Sequence, residues 1–428
     1  MFSRRSKLPE KLKPGIKSIQ IPSNFKCPIS LELMRDPVIM PTGITYDRQS
    51  IERWLDEGGK TCPVTNQPVH EPELIPNHAL RRMIQSWCVA NSSNGVDRIP
   101  TPKIPISEAR VSEILSEISV SSDRNLANCL KLVRKLKISV RESERNRRCV
   151  ASSQAGRVLA SIFLQIAGKS RAGNSDCRAL MEEIMALLMV LTPLTLEAFS
   201  FLSSREILLC LIEGLRQGNL ELRKNSALLI KEIASNGELT IDFRKIDGLF
   251  ESLLQIIRDP ICSSSLKASL ITVFYVCSSD EEIRAKAVKL GFISAILDIL
   301  PDSDRSVCEK AMAAIDALCK SKEGRAKASE HALMVPLVVK KIFRVSDLVT
   351  ELSVTVLWRL CKDEECKLKS VSEALQVGAF QKLLLLLQVG CEGKIKEKVT
   401  DLLKVTNSYR ERWECVDSGD FKGLKRPF

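Results

Sequence analysis

Apolar residues recur at helical spacing through most of the chain beyond about residue 105. From there to about residue 408, aliphatic positions fall at i, i+3, i+4 and i+7, the pattern of amphipathic helices. Glycine and proline interrupt this pattern, and we expect helix breaks at Gly156, Pro193, Gly248, Pro260, Gly291 and Gly378. The chain is therefore predicted to be mainly α-helical.

The helical pattern repeats along the chain. Predicted helix ends carry a large aliphatic residue followed by a small one, at Leu191-Thr192, Ile233-Ala234, Val276-Cys277, Leu318-Cys319, Leu360-Cys361 and Val405-Thr406. The small residues lie 42, 43, 42, 42 and 45 positions apart. A period of about 40–47 residues is typical of armadillo and HEAT repeats, whose stacked units bury one continuous core. We expect an armadillo-type α-solenoid of about six or seven repeats, with an extended face that holds a protein.

One class of armadillo protein fits this pattern poorly. Karyopherins bind basic peptides through ladders of Trp and Asn. Here the repeats contain one tryptophan, Trp358, and Asn225 is an isolated helix asparagine. We interpret Trp358 as a packing residue.

A short region with a different pattern precedes the helices. Ile21–Ala90 is dense in Pro and Gly, and Val38–Met40 and Ile44–Tyr46 flank a short turn, which predicts a β-hairpin. Asp47 is predicted to cap a helix that carries Ile51, Trp54 and Leu55 and ends at Gly58-Gly59. Asn77 is predicted to cap a second helix, with Leu80, Ile84 and Trp87 facing the core. The expected order is ββα, an irregular loop, then α.

These patterns divide the chain into five segments. They are a basic N-terminal tail (1–20), the small domain (21–90), a linker (91–105), the helical repeats (106–408) and a C-terminal tail (409–428). The linker is assigned from Asn, Ser and Pro without periodicity.

Composition narrows the class of protein. The 428 residues include 44% hydrophobic residues and 15 cysteines, scattered as expected for reduced core residues of a soluble, cytoplasmic protein, with the nucleus also open. The net charge of +12 is interspersed at helical spacing, so we expect no nucleic acid partner and rank a membrane surface as a weak candidate. Arg145, Arg147 and Arg148 near the first repeat, and Arg4, Arg5, Lys7, Lys11 and Lys13 in the tail, are the basic clusters that could meet an acidic partner.

The small domain does not carry the spacing of a metal site. Cys27, Cys62, Cys88, His70 and His78 form no close Cys or His pair of the kind that binds structural zinc, so no metal or cofactor is expected. The two long loops must then be held by hydrogen bonds. The polar residues that are candidates for this network are Ser30, Glu32, Asp36, Asp47, Arg48, Thr61, Thr65 and Asn66.

These residues carry a resemblance to a known family. FKCPISLELMRDPVIMPTGITYDRQSIERWL, then TCPVT, then LIPNHALRRMIQSW is similar to the U-box, a zinc-free relative of the RING finger. A U-box joined through a linker to armadillo repeats resembles the plant U-box armadillo ubiquitin ligases. The resemblance implies a ubiquitin transferase that binds a ubiquitin-charged conjugating enzyme and forms no covalent intermediate with ubiquitin. The substrate protein would be held by the repeats.

The resemblance also implies roles for single residues. Ile29, Leu31, Trp54 and Pro63 would bind the conjugating enzyme, and no residue would act as a nucleophile. Asn66 stands where many relatives carry a longer basic or amide side chain that contacts both ubiquitin and the conjugating enzyme. Trp54 has a second interpretation as a core residue. The alternative function is a non-catalytic armadillo adaptor whose U-box serves docking or self-association, and a homo-oligomer is compatible with either function.

Overall fold

The computed structural model describes residues 21–69, 73–94, 96–99, 105–169, 175–236, 242–391 and 393–417. The basic N-terminal tail, His70 and residues 418–428 lie outside this described part. The chain divides into two compact units, Met1–Ile104 and Pro105–Phe428.

The N-terminal unit is a small antiparallel sheet with two helices. Its strands, in the order β2-β1-β3, are β1 (Pro37–Ile39), β2 (Thr45–Asp47) and β3 (Ile75–Pro76). Its helices are α1 (Arg48–Asp56) and α2 (His78–Ala90), with 3₁₀ turns at Ser23–Phe25 and Ser92–Asn94. The predicted hairpin is confirmed, with Val38 opposite Tyr46, whereas the edge strand β3 was not predicted.

The core of this unit forms where the sheet meets α2. Ile84 of α2 is fully buried, and Trp87 packs edge-on against Phe25 with 6.1 Å between the ring centroids. The predicted cap of α2 is confirmed, since the Asn77 side chain accepts the Leu80 N–H at 3.0 Å.

The segment predicted as a linker also contributes to this core. Val96 packs against the buried cluster, and Ile99 is only 5% exposed within it. Structured packing of the N-terminal unit thus extends past the end of α2.

The second unit is a stack of helices. Its helices are α3 (Glu108–Arg124), α4 (Leu126–Glu142), α5 (Glu144–Ser152), α6 (Ala155–Lys169), α7 (Ser175–Val190), α8 (Leu196–Leu202), α9 (Arg205–Gln217), α10 (Leu220–Ser235), α11 (Leu249–Arg258), α12 (Ser263–Ser279), α13 (Glu281–Leu290), α14 (Phe292–Ile299), α15 (Arg305–Leu318), α16 (Lys322–Glu330), α17 (Met334–Lys341), α18 (Asp347–Lys362), α19 (Lys367–Gln376), α20 (Ala379–Val389) and α21 (Gly393–Asp417). A 3₁₀ turn, Phe243–Lys245, precedes α11.

Seven of these helices form a continuous row, which we call the ladder helices: α4, α7, α10, α12, α15, α18 and α21. Each packs against the next in the row. Of the small residues predicted to allow this approach, Cys277, Cys319, Cys361 and Thr406 have no exposed surface, whereas Thr192 and Ala234 are half-buried. The repeating unit expected from the 42–45-residue period is therefore confirmed, and its apolar residues form a single core along the stack.

The helix boundaries follow local chemistry. Gly248, Gly291 and Gly378 adopt φ of +82°, +91° and +77° immediately before α11, α14 and α20, where the chain turns sharply between helices of one repeat. Those three predicted breaks are confirmed. The break predicted at Gly156 lies two residues earlier, at Ser153-Gln154, and Gly156 itself is the second residue of α6.

The last ladder helix also differs from its prediction. A helix end was expected at Val405-Thr406, yet α21 continues to Asp417 and into the segment predicted as a tail. Thr406 is buried, and its hydroxyl donates to the Leu402 carbonyl at 2.7 Å, so the side chain is accommodated within the helix. Within the described residues, no helix is long and apolar enough to cross a bilayer.

Candidate functional site

Two loops of the N-terminal unit have the same backbone structure. Loop 1 is Cys27–Glu32 (CPISLE), and loop 2 is Cys62–Gln67 (CPVTNQ). In loop 1 the Cys27 N–H donates to the Glu32 carbonyl, and the Leu31 N–H donates to the Cys27 carbonyl, both at 2.8 Å. Loop 1 is therefore closed by two hydrogen bonds from and to one cysteine.

Loop 2 repeats this arrangement. The Cys62 N–H donates to the Gln67 carbonyl at 2.9 Å, and the Asn66 N–H donates to the Cys62 carbonyl at 2.8 Å. The fifth residue of each loop is left-handed, with φ of +59° at Leu31 and +55° at Asn66. The two loops thus place equivalent residues at equivalent positions, although their sequences differ.

The cysteine of loop 1 is a hydrogen-bond acceptor. The Cys27 sulfur accepts the Asp47 N–H at 3.3 Å. Burial alone would raise the pKa of Cys27, but backbone N–H groups of Ser30, Asp47 and Ile29 outweigh burial and lower it.

The cysteine of loop 2 accepts hydroxyl groups. The Cys62 sulfur lies 3.3 Å from the Thr42 hydroxyl and 3.0 Å from that of Tyr46, which also accepts the Val64 N–H at 3.3 Å. Burial opposes ionisation of Cys62, but hydrogen bonds from Thr42, Thr65 and Tyr46 lower its pKa to about 6. Burial in turn raises the pKa of Tyr46, which keeps its hydroxyl protonated.

Strand β2 supports both loops through consecutive residues. Tyr46 binds the sulfur in loop 2, and the next residue, Asp47, binds the sulfur in loop 1. Tyr46 acts through its side-chain hydroxyl and Asp47 through its backbone N–H, so one short strand contacts the sulfurs of both loops. The two loops that the sequence treats as separate are in this way fixed to one short element.

The Asp47 carboxylate corrects one sequence prediction. It makes no capping hydrogen bond to α1. Instead its Oδ1 accepts the N–H groups of Arg35 and Asp36 at 2.8 and 2.9 Å. These donors precede β1 and would otherwise lack this acceptor, so the carboxylate fixes the chain that leaves loop 1.

The charged pair beside it involves Asp36 and Arg48. Arg48 Nε lies 2.7 Å from Asp36 Oδ2, and its Nη1 lies 3.7 Å from Glu52. The Arg48 N–H also donates to the Asp36 carbonyl at 2.9 Å. Both side chains of the Asp36–Arg48 pair are about three-quarters buried, so it joins the start of α1 to the start of β1.

The other predicted network residues contribute less. Ser30 accepts the Glu32 N–H at 3.4 Å, and Thr65 accepts the Gln67 N–H at 3.5 Å, the same contact in the two loops. Glu32 takes part through its backbone carbonyl, while its side chain is exposed.

Trp54 lies between the core and solvent. Its indole Nε1 donates to the Thr61 carbonyl at 2.9 Å, and 37% of the residue is exposed. The ring covers Gly59, where an added Cβ would lie 2.4 Å from Nε1. Trp54 is thus fixed at the entrance of loop 2.

The remaining predicted contact residues are exposed on the loops. Ile29 and Leu31 of loop 1 are 37% and 71% exposed, and Pro63 of loop 2 is half-buried. Sequence analysis missed Val64, which is 52% exposed and occupies the position in loop 2 that Ile29 has in loop 1. The repeated pattern C-P-[IV]-[ST]-x-[EQ], 35 residues apart, was the signal that could have identified it.

Metal-ligating side chains do not assemble near these loops. The described residues contain no group of three or more His, Cys, Asp or Glu that could hold a metal ion.

Comparisons with known proteins agree with this architecture. Residues 21–93 match the U-box domain family, and residues 110–425 match the plant U-box protein ARM repeat region. U-box domain-containing protein 21 of Arabidopsis thaliana is 40% identical over 414 residues, covering 96% of this chain and 94% of that protein. E3 ubiquitin-protein ligase PUB22 of the same plant is 37% identical over 431 residues, covering 93% of this chain and 97% of that protein.

One solved structure extends the likeness to the fold. An engineered protein from the Northeast Structural Genomics Consortium superposes with a TM-score of 0.55 at 12% identity, covering 80% of this chain and 82% of that one. From the two family matches and the identity to full-length relatives, this chain belongs to the plant U-box proteins with armadillo repeats and is an E3 ubiquitin ligase of the U-box type.

Proposed function

We propose that loop 1, loop 2 and Trp54 bind a ubiquitin-charged conjugating enzyme, and that the armadillo repeats hold the protein substrate. Ubiquitin passes directly from the conjugating enzyme to a substrate lysine. The ligase contributes by bringing the two together and by favouring a reactive arrangement of the charged enzyme.

The main support for this proposal is the conformation and exposure of Leu31. Its side chain is 71% exposed, and its φ is +59°. A left-handed backbone at a non-glycine residue raises the free energy of the fold by about 1 kcal/mol. Because the Leu31 side chain is exposed, its packing within the unit does not offset this strain. The two hydrogen bonds of loop 1 nevertheless hold it there. A contact with a partner explains both the exposure and the strain.

The buried cysteines support direct transfer. Cys62 has no exposed surface, and its sulfur is occupied by the hydroxyls of Thr42 and Tyr46. Cys27 is equally buried. A thiol that received ubiquitin would have to be accessible, so neither loop cysteine is suited to carry it.

Asn66 is the candidate for contact with ubiquitin. It has the left-handed position of loop 2 that Leu31 has in loop 1, and its side chain is exposed. A carboxamide both donates and accepts hydrogen bonds, so Asn66 can bridge ubiquitin and the conjugating enzyme, although over a shorter distance than an arginine.

The predicted basic cluster of the first repeat is a weaker candidate for substrate contact. Arg147 and Arg148 both pair with Glu144, at 2.5 and 3.6 Å. The hydrogen bond from Arg147 accordingly lowers the pKa of Glu144. Two of the three arginines are thus engaged within α5, which favours substrate contact at the ladder helices instead.

The test is reconstituted ubiquitination with a panel of charged conjugating enzymes. Ile29→Ala should slow ubiquitin discharge to free lysine by about tenfold or more, because it removes an exposed anchor from loop 1. Val89→Ala is the matched control: Val89 is 57% exposed on α2 of the same unit and should retain the wild-type rate.

Thermal unfolding of both variants must match the wild type for the comparison to hold. Wild-type discharge by Ile29→Ala with every active conjugating enzyme would contradict the proposal. It would favour the adaptor function, in which the U-box serves docking or self-association.

A further inference from the structure

The ladder helices α15, α18 and α21 are joined by polar side-chain contacts. Arg359 Nε donates to Asp316 Oδ1 at 2.9 Å, which links α18 to α15. Trp358 Nε1 donates to Asp401 Oδ2 at 3.2 Å, which links α18 to α21. These contacts span 43 residues, one repeat, so they mark side chains that face along the row rather than into the core.

Trp358 is flanked by two ammonium groups. The Nζ atoms of Lys362 and Lys398 lie 4.9 and 5.9 Å from the centre of its ring. The indole is half-buried, and its hydrogen bond to Asp401 fixes its orientation. We call Trp358, Lys362 and Lys398 the Trp358 site. The sequence interpretation of Trp358 as packing describes only its inner edge.

The cations of this site differ in how they are neutralised. Lys362 pairs with Asp401 at 2.8 Å, and Arg359 is taken up by Asp316. Lys398 instead donates to the neutral Thr355 hydroxyl at 2.9 Å and, among the described residues, has no carboxylate within 4.0 Å. Two of the three donors of its ammonium group thus remain available.

The electrostatic surroundings of Lys398 are unfavourable to its charge. Burial lowers the pKa of Lys398, and the positive charges of Arg359 and Lys394 lower it further, against opposing contributions from Asp316 and Glu351. An added anion would relieve this repulsion.

Two other lysines of the row have carboxylate partners, whereas Lys310 of α15 donates, within the described part of the chain, only to Ser306. Lys137 of α4 pairs with Glu183 of α7, together with Arg134. Lys231 of α10 lies 5.2 Å from the ring centre of Tyr275 and also pairs with Glu232 at 2.8 Å. Lys398 has the aromatic neighbour without the carboxylate. A carboxylate supplied by another molecule would complete this arrangement at Lys398.

We propose that the Trp358 site binds an acidic segment of the protein substrate. A carboxylate of the segment accepts hydrogen bonds from Lys398, and the methylene groups of that acidic side chain lie on the Trp358 ring. This inference rests on the proposed function, since it specifies what the repeats hold. Ladder helices about 10 Å apart would be crossed by an extended segment of about six to eight residues. Alternate side chains of such a segment face the helices.

Fluorescence anisotropy of the full chain tests this proposal. The probe is a fluorescein-labelled peptide of about eight residues that alternates Glu and Ser, and its twin replaces every Glu with Gln. The acidic peptide should bind, more weakly as salt is raised, and the Gln peptide should not. No binding of the acidic peptide up to about 1 mM, or equal binding of the twin, would overturn the proposal.

Matched variants locate the binding. Lys398→Met keeps the aliphatic stem and should weaken the acidic peptide by about fivefold or more, and Lys398→Glu should weaken it further. Lys396→Met, an exposed lysine two residues away on α21, should bind as the wild type does. Equal loss with Lys396→Met would show a diffuse charge effect and overturn the site. So would tighter binding of a single-stranded oligonucleotide of equal charge that Lys398→Met also abolishes.

Discharge assays separate this inference from the proposed function. Lys398→Met should discharge ubiquitin to free lysine at the wild-type rate, and Ile29→Ala should bind the acidic peptide normally. If Lys398→Met leaves the affinity for the acidic peptide unchanged while Ile29→Ala still slows discharge, the proposal for the Trp358 site is wrong and the proposed function is retained.

Discussion

Loop 1 and loop 2 of the U-box reach the same backbone geometry with different supports. Loop 1 relies on charge: the Asp47 carboxylate and the Asp36–Arg48 pair hold the chain that follows it. Loop 2 relies on the neutral hydroxyls of Thr42 and Tyr46. The same backbone hydrogen bonds to and from a cysteine thus occur in both loops although different groups support them.

The loops also differ at the position that the backbone constrains most. Loop 1 places an apolar residue, Leu31, in the left-handed region, and loop 2 places Asn66 there. Asparagine adopts this region far more readily than leucine. The strain in loop 1 is thus specific to its side chain, which is what a contact surface for a partner requires.

Removal of the charged support should have the largest effect. Asp47→Ala leaves the N–H groups of Arg35 and Asp36 without their acceptor, and we expect a loss of about 3 kcal/mol in the free energy of unfolding of the N-terminal unit. Urea unfolding followed by hydrogen exchange at these amides measures it. Asp97→Ala, at an exposed aspartate of the same unit, is the control, and similar stability of the two variants would show that the carboxylate is dispensable.

A change at the left-handed residue of loop 2 should alter rate more than stability. Asn66→Arg lengthens the side chain that can bridge ubiquitin and the conjugating enzyme, so discharge to lysine should rise by about threefold to tenfold. The single-turnover rate with a charged conjugating enzyme measures the effect. An unchanged rate would remove Asn66 from this role.

An exchange of the two left-handed residues tests the strain directly. Leu31→Asn should stabilise the N-terminal unit by about 0.5–1 kcal/mol and weaken its binding to the conjugating enzyme. Asn66→Leu should destabilise the unit by a similar amount. Thermal midpoints and titration with the conjugating enzyme measure both effects. If Leu31→Asn leaves stability unchanged, leucine is not strained at this position.

A pH-dependent effect concerns the sulfur of loop 2. Its pKa of about 6 lies below the usual thiol value of about 8.5, so between these values the folded state holds fewer protons than the unfolded chain. The contribution of Cys62 to stability should therefore grow as pH rises through this range and vanish as pH falls below about 6. Urea unfolding of wild type and Cys62→Ser at several pH values measures the difference between them.

Tyr46→Phe sharpens the same measurement. It removes one of the hydroxyls that stabilise the ionised sulfur, so the pH dependence should shrink. An identical pH dependence in this background would assign the titration to another group.

The repeats could be predicted from the sequence because their signal is local and recurs. A small residue such as Cys319 or Cys361 follows a large aliphatic residue in six successive repeats, and six occurrences outweigh chance. Gly248 and Gly291 mark sharp turns because few other residues adopt a positive φ. Gly156 does not need a positive φ, and the sequence alone does not distinguish a glycine within a helix from one at a turn.

The U-box network was less accessible to sequence reasoning because its partners are distant. Asp47 precedes a helix and satisfies the local rule for a cap, yet its carboxylate serves N–H groups 11 and 12 residues earlier. The same side chain can meet either demand, and only the path of β1 relative to β2 decides between them. The contact between Tyr46 and Cys62 could not be predicted for the same reason, because the two residues are 16 positions apart in the sequence.

The contact of Ile99 with the U-box core bears on how this ligase can be dissected. Ile99 is 5% exposed, and full burial of an isoleucine contributes about 2 kcal/mol. A fragment cut at Ala90, where α2 ends, would lose that contribution and expose part of the apolar cluster that Ile99 completes. Chimeras that join this U-box to other repeats should therefore include the chain through Ile99. Otherwise a loss of activity could reflect a destabilised U-box and not an incompatible repeat region.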